Sequence, residues 1–176
     1  MDSIPNNIYS DIECLFGADR YFDEIIAIIE PIKLFEDLNN DEVMALCRYM
    51  ICYAAPRGYT LLSEGKSGDC LLLILTGKVE VMKSISGKKP ESIATVNPGS
   101  TVGEMSLLDG KPRFASCITL EPTDFAVLTR AGLNEILMQM PRVGNKFLLI
   151  LLQIMTTRLR DTCNLFLPNV APDPPV

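Results

Sequence analysis

The sequence predicts a mainly β domain, a sandwich or roll of short strands flanked by helices at both ends. Three observations carry that reading. Short apolar runs between residues 59 and 129 recur at roughly 8–12-residue spacing. Glycine turns separate them, at Gly65, Gly68, Gly77, Gly87 and Gly99. On either side of this region the apolar residues recur at helical spacing instead. With 176 residues, 48% of them apolar, the chain can bury one sizeable core.

Residues 1–20 are weakly patterned. Tyr21–Glu30 has apolar residues at helical spacing and stops at Pro31, so a short helix is expected there. A second helix is expected over 35–53. Phe35, Leu38, Val43, Leu46, Cys47, Met50 and Ile51 share its apolar face, and Asn40-Asp41 is its N-cap site. Both helices suit packing onto the main domain. The first one, with the tail before it, equally suits a docking arm for a partner.

Pro56-Arg57-Gly58 ends the helical part. Strands follow at Tyr59–Leu62, at Cys70–Leu75, from Val79 to about Ile85, and at Ile93–Val96. The second of these is an unbroken apolar run, which predicts burial on both faces. Glu104–Leu108 reads as one helical turn, followed by the exit Asp109-Gly110-Lys111-Pro112. Strands resume at Ala115–Leu120 and Phe125–Thr129. Arg130–Met140 predicts a helix with Leu133, Ile136, Leu137 and Met140 on one face, broken by Pro141. Asn145–Leu167 predicts a long helix, apolar nearly all round from Phe147 to Met155. A surface helix of a monomer carries a polar face. Leu148, Leu152, Met155, Leu159 and Phe166 step by threes and fours, with Thr162 or Cys163 filling the gap, as a coiled-coil seam does. A homodimer through helix 145–167 is therefore expected, or else a helix covered by the N-terminal helices. The tail 168–176 holds Pro168, Pro172, Pro174 and Pro175 and is expected to be disordered.

Composition excludes several functions. Net charge is −6 and the pI about 4.7, whereas a nucleic-acid-binding chain needs a basic surface. The longest apolar block, Phe147–Leu152, is too short to span a bilayer, and the N-terminus is not a secretory signal. A cytoplasmic protein without a membrane span is expected. The six cysteines show no CxxC pairing, which fits reduced thiols. Histidine is absent, which removes the commonest general base and metal ligand. Neither an enzyme nor a bound metal or cofactor is expected.

The stretch Val102–Ser116 holds the candidate site. Glu104 is a carboxylate beside Gly103, and carboxylates accept hydrogen bonds from ribose hydroxyls. Arg113 presents a fork of donors that clamps phosphate. Together they would hold one anionic nucleotide.

Two motifs, in this order and spacing, resemble the cyclic nucleotide-binding domain of catabolite-activator-type regulators, protein kinase regulatory subunits and cyclic-nucleotide-gated channels. The first is Gly58-Tyr59-Thr60-Leu61-Leu62 with Glu64-Gly65 and Gly68-Asp69, followed by Leu71, Ile74, Gly77, Val79 and Val81. The second is the phosphate-binding cassette, Gly103-Glu104-Met105-Ser106-Leu107-Leu108 with Pro112-Arg113. The resemblance covers roughly residues 35–165 and implies a double-stranded β-helix, or jelly roll. It implies an extension over 1–34, a domain over 35–167 with its roll at about 54–129 and helices at 130–167, and the tail.

The same resemblance implies residue roles. Glu104 accepts from the ribose 2′-hydroxyl beside the Gly103 backbone, and Arg113 pairs with the cyclic phosphate. The Met105 and Ser106 amides present the cassette helix's positive end to it. Leu61, Leu71, Leu73 and Val102 supply apolar walls. Thr162, or Cys163, offers a polar group to the base. Family members usually place Ala, Ser or Thr after the arginine, but this chain has Phe114 and only then Ala115. A Phe114 ring directed inward would crowd the pocket. In that case Glu104 and Arg113 would be a retained ion pair in a nucleotide-free dimeric scaffold.

No helix-turn-helix follows the long helix, so no DNA contact is expected. The chain is then a stand-alone module or a fragment of a longer protein, and Met1 and the proline tail lead us to expect the former. The resemblance thus implies a stand-alone sensor of a cyclic mononucleotide, cAMP rather than cGMP, acting on a separate effector protein.

Overall fold

Among the residues described by this computed structural model, 8–30, 37–85 and 89–166, nine strands form two antiparallel sheets. In chain order they are β1 (Glu13–Gly17), β2 (Met50–Ala55), β3 (Thr60–Leu62), β4 (Cys70–Ile74), β5 (Val79–Lys83), β6 (Glu91–Val96), β7 (Thr101–Val102), β8 (Ser116–Thr119) and β9 (Thr123–Thr129). The helices are α1 (Phe22–Ile29), α2 (Asn40–Cys47), α3 (Glu104–Asp109), α4 (Arg130–Gln139) and α5 (Pro141–Phe166). The larger sheet runs β1-β2-β9-β4-β7 and the smaller β3-β8-β5-β6. This is the mainly β, helix-flanked roll that the strand rhythm predicts. The proline tail, the end of the first helix at Pro31, the Phe35 position, and residues 86–88 of the β5–β6 turn lie outside the described residues.

Strand β4 separates two cores. Successive side chains of a strand point to opposite faces. Leu71 and Leu73 pack with α1, α2, α4 and α5, through Ile25, Val43, Ile136 and Phe147 among others. Cys70, Leu72 and Ile74 face the roll interior with Leu61, Val79, Val102, Cys117 and Phe125. Every residue of β4 is buried, as its unbroken apolar run predicts.

Three expectations are corrected. The helix expected over 35–53 is shorter, because Met50–Ala55 is a strand paired along β9 from Met50↔Leu128 to Ala55↔Thr123. The N-cap is Asn39, not the Asn40-Asp41 pair. Asn39 accepts from the Glu42 N–H at 2.9 Å and Glu42 answers at 3.0 Å, a capping box worth about 1 kcal/mol. The weakly patterned N-terminus contributes β1, which pairs with β2 through a bulge at Cys14/Phe16.

The long helix begins at Pro141, where a proline fits the first turn without loss of a hydrogen bond. Its exposed face keeps Leu152 and Leu159 of the expected seam but takes Leu149 in place of Leu148. Leu148 packs against the helix-facing core, while Leu149, Leu152 and Leu159 are 59%, 60% and 64% exposed.

Candidate functional site

Strand β7 runs into α3 through Gly103, whose φ of +87° is a left-handed conformation open to glycine. A Cβ there would lie 2.7 Å from Arg113 Nη1 and 3.0 Å from the Cys70 carbonyl. A Cβ at Gly68 would fall onto the Arg113 guanidinium itself. Both glycines are therefore required by the arginine packed against them.

Backbone and side-chain bonds together fix Arg113. Its N–H donates to the Lys66 carbonyl at 2.8 Å, and its carbonyl accepts from the Gly65 N–H at 2.9 Å. Nη1 donates to the carbonyls of Cys70 (2.8 Å) and Gly103 (2.9 Å), and Nη2 to Cys70 Sγ (3.1 Å). The residue is only 6% exposed. Among the described residues no carboxylate pairs with it. A buried cation without an anionic partner is costly. An anion brought to this guanidinium would offset that cost.

Glu104, 2% exposed, does not pair with Arg113. Its carboxylate is ion-paired with Arg158 Nη1 of α5, while Arg158 Nη2 donates to the Thr101 carbonyl at 2.6 Å. The Glu104–Arg113 ion pair of the alternative, nucleotide-free reading is therefore absent among the described residues: α5 supplies the partner from across the chain. Burial pushes the Glu104 carboxyl above its usual range, against the pull of Arg158 and Arg113.

The remaining predicted residues divide. Ser106, Ala115, Leu61 and Val102 are buried, the last two in the roll interior, while Met105 is exposed. Leu71 and Leu73 are corrected: they point to the helices, and Cys70 and Leu72 take the interior side of β4. Thr162, exposed on α5, bonds the Arg158 carbonyl of its own helix at 2.8 Å, and Cys163 beside it is also exposed.

The Phe114 ring points out of the roll, 54% exposed, with Lys83 Nζ 4.2 Å from its centroid. Lys83 also donates to the Phe114 carbonyl at 2.5 Å and pairs with Glu64 at 2.7 Å, which holds the chain behind Arg113 on the outer face. Cys117 on β8 faces the interior. Burial, and secondarily the Glu104 charge, push its thiol up to about 12, so it stays neutral. Sequence reasoning missed Arg158, Cys70, Cys117 and Lys83. The usable signal was the break in the apolar helix at Arg158 and the position of Cys70 directly after Gly68-Asp69.

A family model described as the cyclic nucleotide-binding domain matches residues 54–140. A solved cyclic nucleotide-binding domain from Methylobacillus flagellatus KT is 51% identical. It superposes with a TM-score of 0.84, covering 95% of this chain and 94% of that one. This chain belongs to the cyclic nucleotide-binding domain family.

Two curated relatives are regulators. The CRP-like cAMP-activated global transcriptional regulator of Mycobacterium tuberculosis is 28% identical over 142 residues, which span 81% of this chain and 60% of the regulator. The cyclic AMP receptor protein of Thermus thermophilus is 30% identical over 128 residues, 73% of this chain and 57% of the receptor. The chain therefore spans about 60% of the length of these relatives. Among the described residues no helix is long and apolar enough to cross a membrane.

Proposed function

We propose that this cyclic nucleotide-binding domain is a cytoplasmic cAMP sensor that acts, as a homodimer, on a separate effector protein. The observation that carries the reading is the buried Arg113, held by carbonyls and matched by no carboxylate among the described residues. A singly charged cyclic phosphate supplies the missing anion through charge-assisted bonds. The Glu104 carboxylate accepts from the ribose hydroxyl, and in doing so shares or releases Arg158. Ligand binding is in this way linked to α5, which must sit differently in the two states if the domain is to signal. The names of the two regulators, cAMP-activated and cyclic AMP receptor, support cAMP as the ligand.

The dimer reading rests on the exposed face of α5. Asn145, Leu149, Leu152, Thr156, Leu159 and Cys163 are all exposed and alternate by fours and threes, the spacing of a two-stranded coiled-coil seam. In a parallel pair each seam residue meets its own copy, so Cys163 meets Cys163.

Calorimetric titration with cAMP and cGMP tests the first part. Micromolar or tighter cAMP binding, weaker for cGMP, is expected. Absence of binding at millimolar ligand would leave a nucleotide-free scaffold instead. Diamide treatment tests the second. It is expected to give a reducible species of twice the 19.5 kDa chain mass, lost in Cys163→Ser. Exclusively monomeric protein would overturn the dimer.

A further inference from the structure

We propose that Arg130 is a positioning residue for the nucleotide site, holding the far end of the cassette helix in place. The proposal rests on the cyclic nucleotide reading of that site. Helix α3 has only six residues, and its last carbonyls have no partner within the helix. Gly110, at φ +72°, closes it by donating to the Ser106 carbonyl at 3.1 Å.

Arg130 meets the same carbonyl from outside. Its Nη2 donates to Ser106 O at 2.5 Å, across 24 positions of sequence. The guanidinium lies over Gly110, where an added Cβ would be 3.4 Å from both Nη1 and Nη2. A cation at a helix C-terminus is favourable, and a charged donor on a carbonyl is a strong bond.

The other end of Arg130 is equally fixed. Its backbone N–H donates to the Asp69 carbonyl at 2.6 Å, one residue before Cys70, whose carbonyl and sulfur hold Arg113. Thr129 caps α4 beside it, accepting from the Gly132 N–H at 3.0 Å. Arg130 therefore joins three parts: the loop before β4, the end of α3 and the start of α4. The cassette is gripped at both ends by arginines from the helical side, Arg158 at Glu104 and Arg130 at Ser106. Neither need touch the nucleotide. With Arg130 in place, the Gly103–Ser106 amides and Glu104 stay set for it. Without it, α3 frays from its C-terminal end.

The test uses Arg130→Ala, Arg130→Gln and Arg130→Lys. Three readouts apply: calorimetric titration with cAMP, thermal melting, and amide hydrogen exchange at Leu107–Gly110 without ligand. Arg130→Ala is expected to weaken cAMP binding about tenfold, the scale of one charged hydrogen bond. Exchange at Leu107–Gly110 should quicken by a similar factor while amides of β4 and β9 keep their rates. Arg130→Lys should recover part of the affinity, and Arg130→Gln less. A purely structural role would lower the melting temperature and leave affinity and local exchange as they were; that result overturns the proposal. Should the unaltered protein fail to bind cAMP, the cyclic nucleotide reading fails. The exchange measurement then decides alone whether Arg130 holds the cassette helix: unchanged exchange in Arg130→Ala rejects it.

Discussion

Arg113 and Arg158 reach the same cassette and are held in opposite ways. Arg113 comes from the roll side, buried, bound by two carbonyls and a thiol, and matched by no described carboxylate. Arg158 comes from α5, its side chain 46% exposed, and is neutralised by Glu104. The buried arginine lacks an anion, and the accessible one already has its partner. This difference separates binding from transmission. On the proposed reading, Arg113 would take charge from a ligand and Arg158 would carry the state of the site to the long helix. Exchanging their roles would gain nothing, since a half-exposed arginine binds a phosphate weakly against solvent.

The comparison can be broken first at Arg113. Arg113→Ala is expected to cost about 2–5 kcal/mol of cAMP affinity, read by calorimetry. Arg158→Ala should act mainly on stability and less on affinity. It leaves the Glu104 carboxylate buried without its partner, and the exposure of Arg158 limits the loss to about 1–2 kcal/mol by chemical denaturation. A double-mutant cycle with Glu104→Gln sharpens this, because the two substitutions should be clearly non-additive.

Glu64 gives a smaller, pH-dependent effect behind Arg113. Lys83 first, then the Ser84 N–H, holds its carboxyl down to about 2 from the ordinary 4.5. A carboxyl lowered by folding stabilises the fold at pH above its unfolded value, and that stability disappears as pH falls through the folded one. The contribution is thus complete above about pH 4.5 and lost toward pH 2. Glu64→Gln should flatten the acid-unfolding curve in that window. The smallest effect belongs to Phe114→Ala. Because the ring points outward, stability should change by less than about 0.5 kcal/mol and cAMP affinity by less than about twofold.

Legibility in the sequence follows how local each feature is. That Gly103, Glu104 and Arg113 lie in one place was readable because they stand at short spacing in one stretch. The outward turn of Phe114 was not readable, since it depends on Lys83 and Glu64 from other segments. The Glu104–Arg158 pair spans 54 positions, and the break in the apolar helix marks Arg158 without marking its partner. The all-apolar run Cys70–Ile74 has no alternation, so it shows burial but not which side each residue takes. Leu71 and Leu73 were misplaced for that reason. Met50–Ala55 continues the apolar spacing of α2, so helix and strand fit it equally until β9 pairs with it. In α5 the apolar residues run nearly all round, and the choice between Leu148 and Leu149 as the free face is made by the domain core.

The most direct measurement is a crystal structure of the protein with cAMP. The account predicts the cyclic phosphate within about 3 Å of the Arg113 guanidinium, with a Glu104 oxygen accepting from the ribose hydroxyl. A nucleotide bound elsewhere, with Arg113 still held only by Cys70 and Gly103, would contradict it.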